Sequence, residues 1–160
     1  MPKVDKSILS NKDKIALDLN KILKSENILS HEDEVRPYET DALAAYKQKP
    51  LLVVLPETVE QVSEILKYCN ENKIKVVPRG AGTGLSGGAL PLADCVLLGM
   101  GKFNKILEID YQNKCVVLQP CVTNLAITNA VQDKKFYYAP DPSSQIACSI
   151  GGNVAENSGG

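Results

Sequence analysis

The chain has 160 residues, 44% hydrophobic and 23% charged, with a formal net charge of −1. A chain of that length buries roughly 68–70% of its unfolded surface, so a core needs neither disulfide nor metal. The near-neutral balance argues against nucleic acid and anionic membrane as partners, since either calls for a concentrated basic patch.

In chain order, the opening "MPKVDKSILSNKDK" lacks the apolar core of a secretory signal, and the longest apolar run, Leu51–Leu55, is too short to span a bilayer. Lysines near the N-terminus are interleaved with acids and read as a solvated helix face. Ile15, Leu19, Ile22, Leu23 and Leu29 carry helical spacing over residues 12–29, with Asn11 at the N-cap. The acidic "SHEDEVRPYETDAL" reads as an ordered loop. "PLLVVLP" predicts a buried strand. The next segment predicts a helix with Val59, Val62, Ile65, Leu66 and Cys69 on one face, opened by a Thr58/Gln61 capping box. "IKVVP" is a second strand, so residues 50–78 form a βαβ unit. "DCVLLGM", "KFNKILEID" and "KCVVLQP" predict further strands, and "VTNLAITNAVQDKK" a helix. The C-terminal segment keeps Ile146, Ile150 and Val154 at intervals and is expected to be ordered.

Five cysteines form no C-x-x-C pair, and His31, the single histidine, is remote from them, so neither zinc spacing nor a disulfide framework is present. Cysteines inside apolar runs read as small buried hydrophobes. The expectation is a reducing, cytoplasmic setting without a metal.

"PRGAGTGLSGGALP" concentrates glycine at positions 80, 82, 84, 87 and 88. A P-loop is excluded, because no lysine lies between Lys75 and Lys102 to meet the outer phosphates. Gly82, Gly84 and Gly87 satisfy G-x-G-x-x-G, but the dinucleotide fingerprint needs a helix directly after the loop, and the following segment reads as strand. A glycine-rich surface turn without a ligand is a further alternative. The reading that uses every glycine is an anion nest: backbone of alternating hand points successive N–H groups into one concavity, and a missing Cβ lets a cofactor approach. Thr83 and Ser86 add hydroxyls, and Arg79 places a positive charge at the mouth. "DPSSQIACSIGGNVAENSGG" repeats the same residue types and reads as a second nest. Two nests suit a long ligand with a central diphosphate.

These two motifs, with "RPYETDA" before them, resemble the vanillyl-alcohol oxidase type of FAD-binding domain, in its glycolate oxidase and D-lactate dehydrogenase branch. The resemblance runs from about residue 28 to residue 160. It implies an α+β fold: a βαβ-containing N-terminal subdomain and the start of a second, truncated α+β subdomain. The chain divides into an N-terminal helix and lead-in loop, 1–48, and an incomplete FAD-binding domain, 49–160. By resemblance, Arg79, Gly80, Ala81, Gly82, Thr83, Gly84, Leu85 and Gly88 bind the FAD pyrophosphate. Asp141, Ser143, Cys148, Gly151, Gly152 and Asn153 line the flavin and ribityl side. Tyr38 and Asp41 match a recurring family feature and read as packing and hydrogen bonding. Thr83 stands near the place where covalent members carry a histidine, so the FAD is expected to be dissociable.

The implied activity is oxidation of a small 2-hydroxy acid, glycolate or D-lactate in type, to the 2-oxo acid. Family members are far longer, with a substrate-holding cap domain. The chain is therefore expected to be an N-terminal part that is inactive alone and contains no catalytic residue, with partner subunits or self-association left open. A non-catalytic remnant that binds nucleotide weakly or pairs with another chain is the alternative. A related flavoenzyme of cell-wall nucleotide-sugar reduction is a third, set apart by its different first loop.

Overall fold

The computed structural model describes residues 2–159. They form two compact units. One comprises the chain up to Arg79 together with Gly84–Gly99; the other comprises Gly80–Thr83 together with the chain from Met100 onward.

The first unit opens with α1 (Lys6–Ser10) and α2 (Lys12–Leu19). The long helix expected over 12–29 stops at Leu19. Leu23 is still buried, but through a turn bonded back to Leu19, and Ile28–Leu29 leave to form strand β1. Pairing with the sheet outweighs helical spacing there. Asn11 occupies the N-cap position of α2 as expected, its carbonyl accepting the Ile15 N–H (2.9 Å), but its side-chain amide donates to the Ser7 carbonyl (2.9 Å) and makes no capping bond. Within the expected loop 30–43 lies a short helix, α3 (Glu32–Val35), followed by a 3-10 turn at Arg36–Tyr38. The Glu34 carboxylate accepts the N–H groups of Ser30 and His31 (3.1 and 2.9 Å), which ties down the otherwise open first turn.

Strand β2 (Leu52–Val54), helix α4 (Val59–Glu71), strand β3 (Lys75–Arg79) and strand β4 (Cys95–Gly99) follow. Thr58 caps α4 by accepting the Gln61 N–H, and the Gln61 side chain reaches back to the Glu57 N–H (2.7 Å), one residue earlier than a capping box requires. Ile65 and Cys69 are buried, whereas Val59 and Leu66 face solvent, so the apolar stripe is narrower than the sequence suggests.

The sheet runs β1-β2-β4-β3, with β1 antiparallel to β2 and both β2 and β3 parallel to β4. The β2–α4–β3 crossover exists, but its strands are not neighbours, because β4 lies between them. Composition gives the reason. Every residue of β4 is buried, which suits a central strand, whereas β3 carries Pro78, which cannot donate to a ladder and belongs on an edge. Val35, Val53 and Leu97 form the core, with Leu29, Tyr38 and Leu55 packed against it.

The second unit begins its regular structure with the antiparallel pair β5 (Ile106–Asp110) and β6 (Cys115–Leu118). Helix α5 (Asn124–Val131) follows, capped by Thr123, whose hydroxyl accepts the Ala126 N–H (3.3 Å). The C-terminal segment is ordered and contains α6 (Ile150–Glu156). Val122, Ile127 and Ile150 form its core, packed by Ile106, Val116, Leu118 and Tyr138. The cysteines of the described chain are unpaired; Cys69, Cys95 and Cys148 are buried as expected, whereas Cys115 is exposed. Burial pushes the Cys69 and Cys95 thiols up to about 11. Among the described residues no helix is long and apolar enough to cross a membrane.

Candidate functional site

Within the second unit the start of the first glycine motif, Gly80–Thr83, meets the second motif. A Cβ built on Gly80 would lie 2.2 Å from the Ser149 hydroxyl oxygen and 3.1 Å from its Cβ, so a side chain there would turn the hydroxyl aside and press on the residue that precedes α6. Beside this contact lies a cavity of about 300 Å³ lined by Gly80, Ala81, Gly101, Cys121, Thr123 and Ser149, among others. The backbone N–H groups of Gly80, Ala81, Gly82 and Thr83 donate to no acceptor among the described residues. Gly82 has φ +71°, a left-handed conformation that reverses the hand of the backbone in mid-run. A run of successive free donors with a change of hand is what an anion nest requires.

The second glycine pair is placed differently. Gly151 and Gly152 lie within α6, and the first N–H groups of that helix are already engaged: Ile150 N–H bonds to Val122 O (2.9 Å) and Gly151 N–H to Pro120 O (2.8 Å). A Cβ on Gly151 would lie 2.8 Å from Pro120 Cβ and 3.0 Å from its carbonyl oxygen. This glycine is there so that the helix can approach the chain at Pro120. Beneath it the Asn153 amide donates to Asn124 Oδ1 and, at 3.3 Å, to Cys148 Sγ, while the Asn124 amide donates to Pro140 O (3.1 Å). Asn153, Cys148 and Asn124 are all buried, so their polar groups hold the "PDPSS" turn against α6. Asp141 and Ser143 are on its exposed side, and the Asp141 N–H bonds to Gly159 O (3.2 Å).

Residues of the first motif that belong to the first unit behave differently. Arg79 is turned away from the position expected for it at a nest mouth. Its Nη1 donates to Tyr38 O (3.3 Å) and Thr40 O (2.6 Å), and its guanidinium carbon sits 5.7 Å from the Tyr38 ring centroid. Burial lowers its pKa, opposed by the nearby Asp41 carboxylate. Asp41 is itself buried; one oxygen accepts the Leu43 N–H (2.9 Å). Tyr38 and Asp41 therefore serve packing and hydrogen bonding, as read from the sequence. Gly87, with φ +77°, brings the chain against Leu43, while Leu85 is 70% exposed and Gly88 is exposed beside it.

Cys121, Thr123, Asn124 and Ser149 were not singled out from sequence. A polar Asn124 in the apolar phase of its helix was the one available signal, since a buried amide needs partners.

Over its whole length the chain is 52% identical to "Glycolate oxidase subunit GlcD" of Escherichia coli (strain K12), and spans 31% of that protein. It is 39% identical over 130 residues to a D-lactate dehydrogenase of Anaerostipes hadrus, covering 80% of this chain and 27% of that one. Among solved structures, 4-ethylphenol oxidase from Gulosibacter chungangensis superposes with a TM-score of 0.78 at 25% identity, over 94% of this chain and 29% of that one. The chain thus spans about a third of the length of the curated relatives it matches. Its architecture is the corresponding portion of the vanillyl-alcohol oxidase-type FAD-binding fold. With residues 50–160 matching the family described as FAD binding domain, the chain belongs to that family.

Proposed function

We propose that the loop beginning at Gly80 holds the diphosphate of FAD through its main-chain N–H groups, without a covalent link, and that the whole protein oxidises a small 2-hydroxy acid of the glycolate or D-lactate kind to the 2-oxo acid. The observation that carries the binding reading is the run of unengaged N–H donors from Gly80 to Thr83, bent by the left-handed Gly82. Successive donors of this kind fit a dianionic diphosphate, and the bare Gly80 leaves room beside Ser149.

Arg79 to Leu85 and Gly88 form the diphosphate side of this proposal, with Arg79 acting by anchoring the strand end from which the loop departs. Asp141, Ser143, Gly151 and Gly152 form the flavin and ribityl side, held in place by Cys148 and Asn153. Residues 49–160 act as the FAD-binding domain and 1–48 as its lead-in. Bound FAD supplies the acceptor for the substrate's α-hydrogen. Substrate contacts and proton transfer are assigned to protein outside this chain. The substrate reading rests on the similarity to the glycolate oxidase protein and the D-lactate dehydrogenase.

The test is the visible spectrum of the purified protein with and without added FAD, together with a flavin-fluorescence titration. Stoichiometric binding is expected. Gly82→Ala should weaken it by roughly 5- to 30-fold, the factor that corresponds to about 1–2 kcal/mol for a left-handed L-residue. A folded protein that neither retains nor quenches flavin refutes the binding reading. Full-length protein whose flavin is not bleached anaerobically by glycolate or D-lactate refutes the substrate reading alone.

A further inference from the structure

Four of the chain's six tyrosines and two phenylalanines converge on one cavity in the second unit: Tyr111, Phe136, Tyr137 and Tyr138. The cavity holds about 290 Å³, between the β5–β6 turn and the C-terminal end of α5, over an aliphatic floor that includes Ile127 and Val131. It shares no lining residue with the glycine-lined cavity. The Tyr111 and Phe136 ring centroids are 5.5 Å apart, with the planes inclined at 49°, so these two walls brace each other. Tyr138 packs against the core, but the other three rings, in a chain that is only 5% aromatic, are not needed to close it and remain open to solvent: Tyr137 is 75% exposed, Tyr111 38% and Phe136 36%.

The rim carries one charge of each sign. Asp110 and Lys114 both line the cavity. Asp110 is committed to its own turn, with one oxygen accepting the Asn113 N–H (2.9 Å) and the other the Asn113 amide (2.7 Å). Among the described residues no carboxylate pairs with Lys114. What remains is a ring-walled apolar hollow with one ammonium at its edge whose donors no carboxylate of the described residues takes up. Small-molecule sites share this plan, a mostly apolar cavity with a few oriented polar groups, and the volume is at the lower end of their range.

We propose that this cavity is a binding site for a small planar aromatic anion, a ring system stacked among Tyr111, Phe136 and Tyr137 with its anionic group at Lys114. The probes are 8-anilino-1-naphthalenesulfonate and its uncharged analogue N-phenyl-1-naphthylamine, titrated by fluorescence into the purified protein. One saturable site per chain is expected for both, the sulfonate binding more tightly. Lys114→Glu should weaken the sulfonate by roughly three- to tenfold, the factor that corresponds to about 1 kcal/mol for a solvent-exposed charge contact, and leave the neutral dye unchanged. Tyr137→Ser should weaken both by about three- to tenfold through loss of a stacking wall. Both substitutions are at exposed positions, and an unchanged circular dichroism melt confirms that the variants fold. The proposal is overturned by non-saturating uptake of dye, by a sulfonate affinity that ignores Lys114→Glu, or by a neutral-dye affinity that ignores Tyr137→Ser. It is also overturned by full displacement of the dye on adding FAD, which would place the dye in the cofactor loop. Retention of the dye beside FAD supports it, whatever the fate of the flavin reading.

Discussion

Replacing Gly151 by alanine separates two physical accounts that predict opposite signs. Gly151 is in the first turn of α6, and glycine within a helix is worse than alanine by about 0.5–1 kcal/mol, so helix propensity alone predicts that Gly151→Ala stabilises. The structure predicts the reverse. The new Cβ would meet Pro120 Cβ at 2.8 Å, Pro120 O at 3.0 Å and Pro120 Cα at 3.4 Å. None of these atoms is the end of a flexible side chain. The helix cannot back away freely either, because the Gly151 N–H is bonded to that same Pro120 carbonyl at 2.8 Å, and Ile150 beside it to Val122 O. Overpacking of this kind costs about 1–3 kcal/mol, and a stretched or broken hydrogen bond about 1 kcal/mol more. Set against the propensity gain, the net expectation is a loss of about 1–3 kcal/mol, which lowers Tm by roughly 2–12 °C for a chain of this size. Gly152→Ala is the matched control, since its Cβ would approach only the Ser149 hydroxyl, at 3.1 Å, an atom that can rotate aside. Thermal melts of both variants by circular dichroism decide the matter. If Gly151→Ala melts at or above the parent temperature, or together with Gly152→Ala, the close-approach account of this glycine fails.

Two further perturbations test the buried polar groups. Asn153→Ala removes the amide that serves Asn124 Oδ1 and Cys148 Sγ, leaving a buried acceptor without its donor; a loss of about 1–3 kcal/mol is expected, with faster hydrogen exchange over residues 140–148. An unchanged melting midpoint and exchange pattern would show that the amide network is incidental. Asp94 is buried, which pushes its carboxyl up, but the Lys75 ammonium (2.6 Å) and the Asp5 N–H (2.7 Å) outweigh this and hold it below its ordinary 3.8. A carboxyl depressed in the folded state contributes stability above its unfolded pKa and loses that contribution as pH falls through the folded value. This part of the stability is therefore present at neutral pH and disappears from about pH 4 downward. Asp94→Asn should cost about 1–3 kcal/mol at pH 7, with the solvent contact of Lys75 keeping it below the figure for a fully buried pair, and should flatten the acid limb. A variant as stable as the parent at pH 7, with the same acid slope, would contradict this.

Local chemistry was legible in the sequence wherever it was repeated or punctuated. The α4 cap at Thr58 follows from spacing alone, and the strands at 52–54, 75–79 and 95–99 follow from apolar runs bounded by turns. Partner choice was not legible, because it depends on burial that only the assembled sheet decides. Nothing within "LLVVL" or "IKVVP" says that a later strand will insert between them. The hint was Pro78, which disqualifies its strand from a central place.

The same distinction runs through the glycines, where composition is ambiguous between two uses of a missing Cβ. Gly82 and Gly87 are needed for backbone conformations that an L-residue adopts at a cost, and Gly80 and Gly151 for contacts that a Cβ would fill. Sequence assigned both clusters to one role because both contain paired glycines among hydroxyls and amides. Hydrogen bonding separates them. The first run leaves its N–H donors unengaged, whereas α6 opens with its own already bonded to Val122 and Pro120. A donor already bonded to a carbonyl is not available to a diphosphate without breaking that bond. The second motif therefore contributes to the site by position: it sets Ser149 against Gly80 and fixes the "PDPSS" turn through Asn124 and Asn153, while the first supplies the donors.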